Sequence, residues 1–166
     1  MKIETWTNNE ILRQKAEDIS RIELNKYAKI WKNMIDYINN PENWGVWLAA
    51  PQIWISKKLI VVSLLRSYDD HNFNTIMMIN PKILEYSEET DFDTEWCLSV
   101  PWKQAEIERA IKIKLEFLDS KWRKNTINLD GLAARIVQHE YDHLNWILLI
   151  DRIDWKLPVN ATEKNS

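Results

Sequence analysis

His139, Glu140, Tyr141, Asp142 and His143 make an H-E-x-x-H run near the end of a 166-residue chain. Residues four apart share one face of a helix, so both imidazoles can address one ion while Glu140 reaches a water beside it. Leu132 and Ile136 lie on the same face, which implies that the histidines point inward. Two hydrogen-bonded histidines within a core are the competing reading. A catalytic metal normally has three protein ligands and one open position. Sites of the protease type draw the third ligand from downstream, but no histidine follows His143, and Asp151, Asp154 and Glu163 lie in a short segment or a polar tail. Upstream stands Cys97, in the run EWCLSV, the single cysteine of the chain. One cysteine excludes an internal disulfide, leaving a packing role or a thiolate put to use. A thiolate with two imidazoles suits a divalent transition ion.

These residues need a scaffold. The spacing predicts a helix from about Leu132 to Asn145, with Asp130 as its cap. Residues 9–20 read as a short helix, and residues 22–39 as a stronger one with an apolar stripe from Leu24 to Ile38, ending before Pro41. Two short apolar runs, 58–65 and 74–79, predict paired strands. From 105 to 119 apolar and charged residues alternate, which predicts a strand with Ile107, Ile111, Ile113, Leu115 and Phe117 on one face. Arg109 falls on that apolar face, and a buried guanidinium requires a partner, for which Glu95 is the candidate. The alternative is an edge arginine that reaches water. A turn over 119–125 and a short strand at 126–129 lead into the last helix.

The chain is 45% hydrophobic and 28% charged with net charge -3, the balance of an ordinary soluble domain without the basic excess of a nucleic-acid binder. Neither a signal peptide nor a membrane span is expected, so the cytoplasm is the default address. Glycine and tryptophan are abnormal. The chain has 2 Gly and 10 Trp, where average usage gives about 12 glycines at this length. Turns and helix ends need residues at positive φ, which glycine adopts cheaply and tryptophan does not.

Three segments, GVWLAAPQ (45–52), EWCLSV (95–100) and QHEYDHLNW (138–146), resemble the three signature motifs of bacterial peptide deformylases in order and spacing. ILRQKAEDI, INPKI, VPWKQAEIER and LLIDRI extend the resemblance over nearly the whole chain. It implies an α+β fold, with antiparallel or mixed β-sheets packed around the C-terminal HExxH helix and two N-terminal helices. Residues 1–157 form a single catalytic domain in this reading and 158–166 a polar tail. The implied reaction is removal of the N-formyl group from the N-terminal methionine of new polypeptides, with release of formate. Cys97, His139 and His143 become the metal ligands, Glu140 the general base, and the Gln52 side chain with the Leu98 backbone N–H the oxyanion donors. Gly45, Trp47, Gln52 and Leu98 bind substrate. The resemblance implies one divalent ion, Fe2+ first, with Zn2+, Ni2+ or Co2+ as substitutes. It implies formylmethionyl peptides as partners, admits contact with the ribosome, and suggests a monomer with no nucleic-acid or membrane partner. An inactive, peptide-binding relative and an HExxH peptidase of another family are the alternatives.

The departures are systematic. The family motifs have glycine where this chain has Trp47, Trp96 and Trp146, and glycine is also familiar at the Trp54 and Trp102 positions. Independently of any family, Trp146 falls just past a helix end and Trp122 in a tight turn, both places that favour glycine. In a genetic code where UGA specifies glycine, translating it as tryptophan produces this pattern. The alternatives are an inactive relative with genuine tryptophans and an unusually Trp-rich enzyme.

Overall fold

A computed structural model describes the chain apart from residues 6–7, 41, 44–46, 68, 70–73, 155–157 and 162–166. Gly45 and most of the expected tail therefore lie outside the described residues. The elements are α1 (Leu24–Ile38), β1 (Trp47–Ala49), β2 (Leu59–Ser63), β3 (Thr75–Tyr86), β4 (Thr90–Cys97), β5 (Val100–Ala110), β6 (Lys112–Leu118), β7 (Lys124–Asp130), α2 (Gly131–Leu144) and α3 (Leu149–Asp154). Five strands form one antiparallel sheet in the order β1-β2-β3-β6-β7, and β4 and β5 pair as a separate antiparallel ribbon. No helix among the described residues is long and apolar enough to cross a membrane.

The run that predicted a strand at 58–65 is continuously apolar from Leu59 to Val62 because β2 is covered on both faces. Ile60 and Val62 pack with Met78, Ile113, Leu115 and Phe117 against Ala134, Ile136 and Val137 of α2. Leu59 and Val61 face the other way, onto Tyr27, Met34 and Ile38 of α1. The sheet is thus a middle layer between two helices. Predicted pairing of the two apolar runs is realised in β2 and β3, with Ile60 opposite Met78.

Two elements differ from the sequence reading. Of the two N-terminal helices, the second is α1, while the first is reduced to a single 3-10 turn at Glu10–Arg13, capped by the Asn9 side chain. Past that turn, bridges at Lys15 to Asn145 and Glu17 to Lys57 hold the segment extended, so backbone pairing replaces helical bonds. The strand predicted over 105–119 is two strands, β5 and β6, in different sheets. The switch occurs at Ala110 and Ile111, where Ala110 is buried out of phase with the alternation and Ile111 joins neither strand.

Candidate metal centre

Helix α2 starts at Asp130, whose extended backbone forms the N-cap without a side-chain cap bond. Ten of its fourteen residues are buried, His139, Glu140 and His143 among them. Gln138 locks the helix to β5: its Oε1 accepts from Ala110 N at 3.1 Å and its Nε2 donates to Ala110 O at 2.9 Å. Cys97 ends β4, so the ribbon delivers sulfur to the helix.

Cys97, His139 and His143 each place one ligand atom within 4.8 Å of the others, and all three are buried. Cys97 Sγ lies 3.2 Å from His143 Nε2. His139 Nδ1 contacts Glu95 Oε2 at 2.9 Å, which leaves Nε2 as the nitrogen turned toward the cluster. That Nε2 and both Glu140 carboxylate oxygens are buried with no hydrogen-bond partner among the described residues. Orphaned polar atoms in an interior are rare and call for an unseen ligand. A thiolate and two imidazoles at this separation are the donor set of one transition-metal ion, whose water would meet Glu140.

The electrostatics agree with a deprotonated sulfur. Burial pushes the Cys97 thiol up, but His143 and His139 beside it hold it well below its ordinary range. Burial lowers His139, yet its contacts with Cys97 and Glu95 raise it well above the usual imidazole value. Glu140 is pushed up to about 7 by burial, against the pull of His143 and His139.

Behind the ligands runs a buried charge network. Arg109 grips Glu95 with two hydrogen bonds of 2.9 Å and reaches Asp142 Oδ2 at 2.6 Å. The predicted Arg109–Glu95 pair is therefore present, with Asp142 as a second partner that the sequence reading omitted. Arg135 adds a 2.9 Å bond to Glu95, and Arg152 of α3 binds both oxygens of Asp142. Arg135, His139 and Asp142 recur at helical spacing, so a signal for this face existed in the sequence. Glu95 thus fixes which nitrogen of His139 faces the cluster, as partners behind metal-binding histidines generally do.

Gln52 is 1% exposed and held by Ala49 N donating to its Oε1 at 2.8 Å. Its Nε2 donates to Ser99 Oγ at 3.2 Å and lies 3.9 Å from Cys97 Sγ. Leu98 is part-buried against the α1 side of the core. The Trp47 and Trp96 rings lie tilted to each other with centroids 6.1 Å apart, and Trp47 lies 6.4 Å from the His139 ring. Between them, His139 and Ile136 remains about 10 Å³ of space, room for no more than one water. Cys97, His139, His143, Glu140, Gln52 and Trp47 are thus gathered at one place.

A family profile for polypeptide deformylases matches residues 1–157. The chain is 36% identical over 152 residues to a peptide deformylase of Prochlorococcus marinus, covering 92% of this chain and 73% of that one. Among solved structures it is similar to a probable peptide deformylase of Synechococcus phage S-SSM7, with a TM-score of 0.78, 37% identity, and 90% and 97% of the two chains covered. It is also similar to a class I type b peptide deformylase of Acinetobacter baumannii bound to Met-Ala-Ser, with a TM-score of 0.79, 35% identity, and 92% and 97% covered.

Proposed function

Since this chain belongs to the polypeptide deformylase family, we propose that it hydrolyses the N-formyl group from the N-terminal methionine of newly made polypeptides, releasing formate. The observation that carries the reading is the convergence of Cys97, His139 and His143 beside the buried, unpartnered Glu140 carboxylate. The three ligands hold one divalent ion, which we assign as Fe2+, with Zn2+, Ni2+ and Co2+ as substitutes for the same donors. When bound, such an ion acidifies water toward neutrality and polarises a carbonyl. Glu140 takes the proton of the attacking water and returns it to the amide nitrogen as the formyl C–N bond breaks. Charge gathering on the formyl oxygen is met by the Gln52 side-chain amide and the Leu98 backbone N–H. Gln52 Oε1 is engaged by Ala49 N, so its Nε2 is the donor end, and it would exchange its bond to Ser99 Oγ or its contact with Cys97 Sγ for the formyl oxygen.

We assign peptide binding to Gly45, Trp47, Gln52 and Leu98, and the Met-Ala-Ser bound by the Acinetobacter protein supports a substrate that begins with methionine. We place the protein in the cytoplasm as a monomer, one catalytic domain over 1–157 and a polar tail after it, acting on chains as they leave the ribosome. Release of formate from a formyl-Met peptide by iron-loaded, glycine-restored protein tests the reading, and absence of any metal-dependent release even after glycine restoration refutes it in favour of an inactive, peptide-binding relative.

Two substitutions test its parts. Cys97→Ser should weaken metal binding by roughly 100-fold or more, beyond the effect of losing a residue behind a ligand. Metal analysis after dialysis reads this, and undiminished metal would point to an HExxH peptidase of another kind. Gln52→Ala should lower kcat by about 10²- to 10³-fold with little change in KM, as for loss of one oxyanion donor. A change confined to KM would remove Gln52 from that role.

A further inference from the structure

Among the described residues, five other than glycine have φ in the left-handed region, and four of them are tryptophan: Trp54 at 67°, Trp102 at 68°, Trp122 at 60° and Trp146 at 56°. The fifth, Asn80 at 49°, has a local reason, since its side chain accepts from Ile19 N and donates to Ile19 O, both at 2.8 Å. Asparagine tolerates this conformation, whereas a bulky side chain there is strained. From these backbone positions we infer that the natural protein carries glycine at 54, 102, 122 and 146. Its gene has UGA at these codons, decoded as glycine in its host.

Each site has the local form that glycine serves. Trp54 is the left-handed cap of the 3-10 turn Ala50–Ile53, and its indole is largely exposed. Trp102 lies where the β4–β5 register shifts, from Trp96 opposite Gln104 to Cys97 opposite Val100, and its side chain is 97% exposed. A glycine in the left-handed region is the usual device at such a bulge. Trp122 closes the turn from β6 to β7, donating its backbone N–H to Asp119 O at 2.9 Å. Trp146 follows the end of α2, and its indole N–H is buried without a hydrogen-bond partner among the described residues, which a native tryptophan rarely tolerates.

Trp31 supplies the contrast. It lies inside α1 and packs partly buried against the core beside Tyr27 and Met34. Glycine in a helix interior is unfavourable. Trp31 is therefore a genuine tryptophan, and its codon is UGG.

The nucleotide sequence of the gene together with mass spectrometry of the protein from its native host decides the matter. UGA codons and glycine at 54, 102, 122 and 146, with UGG and tryptophan at 31, are expected; tryptophan encoded by UGG at any of the four overturns the inference. A recombinant chain carrying all four Trp→Gly changes should also melt on the order of 10 °C higher than the chain as written. No rise in Tm would count against the inference. If the chain as written fails to fold, the codons and the native mass still decide.

Discussion

Glu140→Gln is expected to cut deformylation of a formyl-Met peptide by about 10²- to 10⁴-fold, the span typical of a positioned general base. The measurement belongs in a chain with glycine at 47, 54, 96, 102, 122 and 146, so that the indoles of Trp47 and Trp96 do not crowd His139. Gln keeps the shape of the side chain but cannot accept the proton of the attacking water. The ligand atoms on Cys97, His139 and His143 are untouched, so metal content should equal that of the parent. Turnover equal to the parent at equal metal content would remove Glu140 from the proton transfer. Loss of metal together with turnover would make Glu140 a structural residue of the centre instead.

The second large effect concerns stability. Arg109→Met should destabilise the fold by about 3 kcal/mol, because it removes the buried cation shared by Glu95 and Asp142 and leaves them only Arg135 and Arg152 as buried counter-charges. Arg109 is 1% exposed and is the shared partner of both carboxylates. For a chain of this size the loss lowers Tm by on the order of 10 °C. A denaturation midpoint unchanged in Arg109→Met would mean that water enters and solvates the network, contrary to the burial described.

The convergence of Cys97, His139 and His143 was legible in the sequence because it depends on residue type and helical spacing. His139 and His143 are four apart on α2, and Cys97 stood out as the lone thiol. The Arg109–Glu95 pair was legible from one charged residue on an otherwise apolar face. What sequence could not convey was phase. The alternation through 107–117 runs smoothly across Ile111, yet the chain passes there from the ribbon to the main sheet, since each strand separately satisfies a period of two. The first helix was misjudged for a related reason. Ile11, Leu12, Ala16 and Ile19 are all buried, as helical spacing suggested. Tertiary pairing through Lys15 and Glu17 nonetheless draws most of that segment out straight. Asp142 and Arg152 were missed because their importance lies in a contact between α2, α3 and β5 that only assembly creates.

Sulfur arrives on β4 and both imidazoles on α2, 42 residues further along the chain at the nearer of the two. An unfolded polypeptide therefore presents no such trio, and any ion that occupies it must favour the folded form by mass action, worth about 2.7 kcal/mol at a free concentration 100 times the dissociation constant. Supply of that ion would then govern how long each molecule survives proteolysis as well as how fast it works, so a cell starved of it would lose the protein itself along with its activity.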